Sequence, residues 1–240
     1  MYSAIFERKS IRKYDQTPLP DSELASIQAE FSTLNPLLSD LNWKIEIVKA
    51  ASVRNFLGGN APYYLSFYSE EDRLSYENAG FVLQQLDLLL HLRGYGRCWM
   101  GAARPKTAAE EDLPFSVALA FGNPAEPLTR TAAQFKRKKL DAITDCADPR
   151  FEAVRLAPSA RNIQPWFFSC REGKILVYRS QSSLLMRLAM PTLSRVDIGI
   201  ALCHLWLASR RVNLPFNFFV EEGAPAKDGF EYVGTVSDQS

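Results

Sequence analysis

From Trp43 to Val48 the residues alternate between apolar and polar, Trp43, Ile45 and Ile47 against Lys44 and Glu46. A period of two predicts a strand with one buried face. The aromatic run 63–68 (YYLSFY) predicts a second strand after the break at Gly58-Gly59. Residues 77–92 change the rhythm: Phe81, Val82, Leu83, Leu86, Leu88, Leu89, Leu90 and Leu92 cover most of a helical circumference, so this helix is buried nearly all round. Gly94-Tyr95-Gly96 ends it. Residues 117–121 predict a strand closed by Gly122-Asn123-Pro124. Upstream, a short helix around Ile5 and Phe6 runs out near Lys9. A turn with two prolines occupies 15–20, and Asp21-Ser22-Glu23-Leu24 starts a helix with acidic residues at its N-terminus.

After a polar, basic stretch the order repeats: a helix at 150–156, strands at 166–170 and 174–178, a second buried helix at 196–209, and a last strand at 230–236. Ala79-Gly80-Phe81 and Ile198-Gly199-Ile200 fall at the same point of the two buried helices. Trp43 and Trp166 each open a strand, and Phe121-Gly122 and Val233-Gly234 each lie near the end of a late one. The expectation is an α+β fold of mixed sheets around buried central helices, with a degenerate internal duplication dividing the chain into 1–145 and 146–240.

Composition narrows the function classes. With 240 residues, 47% hydrophobic and a net charge of +1, the chain can bury a core and carries no global field for nucleic acid or an anionic membrane. The run Lys136-Arg137-Lys138-Lys139 reads on its own as a solvated helix face. Cys98, Cys146, Cys170 and Cys203 form no Cys-x-x-Cys pair, and His91 and His204 both sit in apolar stretches as core or helix-surface residues, so no metal cluster is expected. Scattered thiols, no signal peptide in MYSAIFERKS, and no apolar segment long enough to span a bilayer lead to the expectation of a cytoplasmic protein.

Three segments can carry chemistry. In Arg8-Lys9-Ser10-Ile11-Arg12, an extended chain puts Arg8, Ser10 and Arg12 on one side, two guanidinium forks and a hydroxyl suited to a phosphate. Taken alone, it is equally a basic surface segment. The stretch Ala157-Pro158-Ser159-Ala160-Arg161-Asn162-Ile163-Gln164-Pro165-Trp166 is rich in loop formers and small residues that let backbone approach a flat ring, and the Asn162 amide can bond a heterocycle edge. It is also readable as a plain helix-to-strand loop. Gly94-Tyr95-Gly96-Arg97-Cys98-Trp99-Met100-Gly101 offers backbone amides after a buried helix, or a simple cap and turn. No Ser-His-Asp set, carboxylate pair or strand-borne Gly-x-Gly-x-x-Gly is present, and no catalytic side chain is assigned.

Taken together, Arg-x-Ser-x-Arg, Gly-x-Gly-x-Cys-Trp-x-Gly and Ala-Pro-Ser-x-x-Asn-x-Gln-Pro-Trp resemble the FMN-dependent nitroreductase superfamily over roughly residues 1–210. The resemblance implies FMN, with its phosphate held by Arg8, Lys9, Ser10, Arg12 and Arg137, backbone around Trp99, Met100 and Gly101 at its reactive edge, and Pro158, Ser159, Ala160 and Asn162 beside it. Lys138 is a weaker choice than Arg137. It further implies electron transfer from NAD(P)H to a small nitroaromatic- or quinone-like oxidant, with ping-pong kinetics. In ordinary members two chains share each flavin. Here the second motif has decayed where it should follow Arg12 (Thr33-Leu34-Asn35-Pro36-Leu37-Leu38-Ser39-Asp40), and the first is missing from the second half. This resembles a branch in which two fused halves imitate the dimer, implying one flavin per monomeric chain. An inactive flavin-binding or storage protein is the alternative, and a dehalogenating or flavin-cleaving enzyme a third reading.

Overall fold

The computed structural model describes residues 1–55, 60–107, 113–181 and 192–239. Helix α1 (Asp21–Ala29) precedes strand β1 (Trp43–Lys49), the short β2 (Val53–Asn55) and β3 (Tyr63–Ser69). The long helix α2 (Ser75–Leu92) is followed by β4 (Gly96–Met100), β5 (Ala103–Pro105) and β6 (Phe115–Gly122). Then come α3 (Phe151–Arg155), β7 (Trp166–Arg171), β8 (Lys174–Ser180), the second long helix α4 (Leu193–Arg211), β9 (Asn217–Phe219) and β10 (Phe230–Ser237). Two four-stranded antiparallel sheets result, ordered β1-β3-β6-β4 and β7-β8-β10-β9. In both, the third strand is added at the edge, beyond the fourth, and a long helix intervenes between the second and third. The α+β expectation holds.

The apolar circumference of the long helices is explained by their position. Both are buried over most of their length and pack on each other at the centre of the molecule. Helix α2 starts after Asp72, whose carboxylate accepts the Leu74 N–H (2.7 Å), and ends on Gly94 at φ +84°. The two helices meet where the sequence placed matching glycines. A Cβ on Gly80 would lie 2.1 Å from the Val196 carbonyl oxygen, and one on Gly199 would lie 1.9 Å from that of Glu77. Only hydrogen at both positions permits this backbone approach.

The structure departs from the sequence reading in places. Residues 96–100 form a strand that pairs with β6, not a cap and turn. The run 136–139 is not helical; it is an extended stretch between two 3-10 turns. Cys146 and Cys170 are disulfide-bonded, against the expectation of unpaired thiols. The reason is tertiary: Thr144 bridges Phe168, and the Asp145 carboxylate accepts the Cys170 N–H (2.9 Å), which lays the segment beside β7. Among the described residues, no helix is long and apolar enough to cross a membrane.

Candidate functional site

The N-terminal segment runs along the open edge of β4, where the Ile11 N–H donates to the Arg97 carbonyl (2.9 Å). The segment does not keep the alternation that would put Arg8 and Arg12 on one side, because Ile11 as well as Arg8 is buried. Lys9 turns to Glu126 (3.2 Å), while Arg8 goes inward and Arg12 stays exposed. Arg8 is completely buried on Asp87 of α2, with Nε 2.8 Å from Oδ2 and Nη2 donating to Oδ1 (3.3 Å). The same Nη2 lies 3.4 Å from the Ser10 hydroxyl. Arg8 Nη1 has no hydrogen-bond partner among the described residues.

The basic stretch after β6 connects this segment to the loop before β7. Arg130 donates its N–H to the Glu7 carbonyl (2.9 Å) and its Nε to that of Arg8 (2.8 Å). Seven residues on, Arg137 donates to Asn162 Oδ1 (2.6 Å) and to the Leu156 carbonyl (3.3 Å), leaving Nε without a described partner. Burial, then the neighbouring charges of Arg130 and Arg8, push the Arg137 pKa down to about 9. Burial and Arg8 bring Arg130 to about 10. Burial is the larger cause in both, and the like charges add to it.

The loop itself is held in an unusual shape. Arg161 (φ 51°), Asn162 (φ 59°) and Gln164 (φ 50°) all adopt the left-handed region, where each non-glycine residue carries strain. Several bonds hold it. Ser159 Oγ accepts the Gln164 N–H (2.9 Å), and the Gln164 side chain bonds the Lys138 N–H (2.8 Å) and the Asn162 carbonyl (3.0 Å). Asp197 of α4 accepts the Ala160 N–H (2.9 Å). The Asn162 amide accepts from Arg137 and donates to the Lys136 carbonyl (2.7 Å).

From β4, Trp99 reaches α2, and its Nε1 donates to Gln84 Oε1 (3.2 Å). Gln84 Nε2 then donates to Asp87 Oδ2 (3.1 Å) and meets His204 Nε2 (3.1 Å). Since His204 Nδ1 faces the Ala153 carbonyl (2.8 Å), which can only accept, the proton sits on Nδ1 and Nε2 accepts from Gln84. Burial holds His204 neutral, its pKa near 4. Gly101, at the end of β4, packs under Leu193 at the start of α4; a Cβ there would lie 2.8 Å from the leucine.

Segments far apart in sequence thus meet around Asp87, Gln84 and Asn162. Arg8, Ser10, Arg137, Ser159, Ala160, Asn162 and Trp99 belong to one connected set of contacts, with Met100 and Gly101 next to it. Lys9 stands apart on Glu126, and the exposed Arg12 contributes its charge toward Cys98. Buried guanidinium atoms left without partners on Arg8 and Arg137 suit an anionic group such as a phosphate monoester. Sequence reasoning missed Asp87, Gln84, Arg97, Arg130 and Asp197. For Asp87 a signal existed, a lone charge between Leu86 and Leu88 in an otherwise apolar helix.

Residues 1–209 match the model of a family described as "Putative TM nitroreductase". Among solved structures, the chain is similar to a "putative nitroreductase" from Thermotoga maritima, at 24% identity and a TM-score of 0.66, covering 98% of this chain and 92% of that one. A nitroreductase family protein from Clostridium difficile shows 13% identity and a TM-score of 0.48 over 59% of this chain and 95% of its own. An iodotyrosine deiodinase bound to FMN and 3-iodo-L-tyrosine shows 19% identity and a TM-score of 0.40 over 52% and 90%. No curated protein matches the chain.

Proposed function

Because the chain belongs to the nitroreductase family, matched over residues 1–209, we propose that it is an FMN-dependent oxidoreductase passing electrons from NAD(P)H to a small nitroaromatic- or quinone-like oxidant. The observation that carries this reading is the convergence of Arg8, Arg130 and Arg137, from segments more than a hundred residues apart, on a site where, among the described residues, only Asp87 forms an ion pair with one of them. Such a cationic set needs an anion. The phosphate of FMN supplies it, and the bound flavin supplies the hydride and single-electron chemistry.

The chain's own residues then bind and orient. Arg8, Ser10, Arg12 and Arg137 hold the phosphate, and Asn162 keeps the Arg137 guanidinium turned toward it. Lys9, engaged by Glu126, is left out of this set. Pro158, Ser159 and Ala160 present small side chains and backbone to the ring, and the backbone of Trp99, Met100 and Gly101 presents donors to its reactive edge. No side chain has to act as acid, base or nucleophile.

In this reading the halves 1–145 and 146–240 are a fused pair, each contributing one side of one site, and the protein is a monomer with one FMN. Incubation with FMN followed by gel filtration should give a yellow protein with a flavin-to-chain ratio near unity. The flavin should bleach under anaerobic NADH or NADPH and be retained on dilution. Absence of binding at excess FMN overturns the reading. A yellow protein that neither nucleotide reduces favours the storage alternative. Flavin lost in step with dissociation of an oligomer overturns the fused-pair arrangement.

A further inference from the structure

Arg97 fills only a variable position of Gly-x-Gly-x-Cys-Trp-x-Gly, yet among the described residues it is one of the largest fully buried side chains. It projects from β4 toward α2, with its Nε 3.7 Å from Asp87 Oδ1. None of its three guanidinium nitrogens has a hydrogen-bond partner among the described residues. Asp87 cannot serve it well, because both carboxylate oxygens are already engaged by Arg8 and Gln84. The ionisable groups around Arg97 are Asp87 and His91 on α2, Arg8 and Tyr14 on the N-terminal segment, and Arg130 after β6. Burial, helped by the charge of Arg97, keeps the His91 pKa near 4, so the ring is neutral. The Tyr14 phenol, its pKa raised by burial, is neutral too and donates to the Ile11 carbonyl (2.7 Å). Glu7, 3.9 Å from His91, is exposed to solvent, so among the described residues Asp87 is the one buried anion against two fully buried guanidiniums.

A surplus buried charge is costly, and a leucine or methionine would fill the volume without that cost. Its effect on the neighbourhood is specific. Without Arg97, Arg8 and Asp87 are a neutral pair and project little field; with it, the trio carries a net positive charge. We infer that Arg97 is an electrostatic positioning residue that neutralises Asp87, so that the charge of Arg8 remains available to the phosphate of the flavin. In this role it acts through Asp87 and not by contact with the ligand. The inference rests on the FMN reading above and assigns to Arg97 the preference for the phosphorylated flavin over riboflavin.

Charge bookkeeping separates this role from a structural one. Dissociation constants for FMN and riboflavin, read by flavin fluorescence quenching, should be compared for wild type, Arg97→Met, Asp87→Asn and the Arg97→Met/Asp87→Asn double variant, with thermal melts as the folding control. Arg97→Met should weaken FMN on the order of tenfold or more and leave riboflavin nearly unchanged. The double variant restores the net charge and should recover most of the FMN affinity. Asp87→Asn alone should bind FMN at least as tightly as wild type. Arg97→Met leaves Arg8 and Asp87 as a neutral buried pair and is the least disruptive of the three; should a variant carrying Asp87→Asn not fold, the FMN and riboflavin constants of Arg97→Met still decide the matter. Equal losses for both flavins, an unaffected FMN constant in Arg97→Met, or a double variant as weak as the single one would each overturn the inference. A wild type that binds neither flavin would overturn the FMN reading itself.

Discussion

Asp197 and Asn78 do the same work in the two long helices, and only one of them is ionisable. Each stands two residues before the glycine at which the helices cross. Asn78 Oδ1 accepts the N–H groups of Leu37 (2.8 Å) and Leu38 (3.3 Å), and Asp197 Oδ1 accepts that of Ala160 (2.9 Å). Burial pushes the Asp197 pKa up to about 8, offset only in part by the Ala160 bond, whereas an unfolded aspartate ionises near 3.8. Between these values the folded chain holds a proton that the unfolded chain has released. Stability from this group is therefore complete below about pH 4, declines as pH rises, and levels off above about 8. At pH 7 the cost is about three pK units, on the order of 4 kcal/mol. Asp197→Asn keeps the acceptor and removes the titration. Urea unfolding followed by tryptophan fluorescence at pH values from the acid to the alkaline side of neutrality should show the variant more stable by several kcal/mol at pH 7 and above, with the gap closing toward pH 4. His204, whose pKa is lowered to about 4, imposes the opposite slope below pH 6.5, but it does so equally in both proteins and drops out of the difference. Parallel stability–pH curves for the two proteins, or a variant that is weaker above pH 7, would refute the reasoning.

Gly199→Ala should cost about 3 kcal/mol or more, because its Cβ would meet the Glu77 carbonyl oxygen at 1.9 Å and the helices must separate to admit it; a thermal melt within two degrees of wild type would contradict this. Reducing the Cys146–Cys170 disulfide opens a loop with a sequence separation of 24 and should lower unfolding stability by about 3 kcal/mol, read as a shifted urea midpoint with and without reductant. Arg12→Ala, which removes an exposed charge and leaves no buried partner behind, should weaken FMN binding about tenfold and leave riboflavin unaffected in the same titration.

The elements built on periodicity were legible before the structure. Strands β1, β3, β7, β8 and β10 and both long helices lie where alternation or an all-round apolar surface puts them, and the two matching glycines mark the helix crossing. What escaped depends on partners distant in sequence. Strand β4 opens on Gly96 and lies between Gly94 and Gly101, poor strand formers in isolation, and exists because it pairs with β6. The short β2, β5 and β9 have three residues each, too few to show a period. The disulfide required the register of 144–146 against β7. At the candidate site the cationic motif was readable, but its counter-charge was not. Local sequence shows which residues are basic, and only packing shows that Arg8 is buried on Asp87 while Arg12 remains in solvent.

Under the fused-pair reading, the pairing of Arg8 with Asp87 also bears on why the chain would hold one site and not two. Counting from the crossing glycines, Asp87 is seven residues beyond Gly80, and the residue seven beyond Gly199 is Trp206. Where α2 offers a buried carboxylate to an arginine, α4 offers an indole whose centroid lies 5.4 Å from that of Phe81. A buried carboxylate is tolerable only with a cation against it, so a half that lacks the Arg-x-Ser-x-Arg segment gains by exchanging the acid for an apolar side chain. The reverse holds in the loops, where Leu37 and Leu38 face Asn78 in the first half and Ser159 and Ala160 remain small beside Asp197 in the second. Under that reading each half is internally consistent with the part assigned to it. Under the fused-pair reading, restoring a second site would require changing Trp206, the loop 35–39 and an arginine partner together, since any one of them alone buries an unpaired charge or opens a cavity.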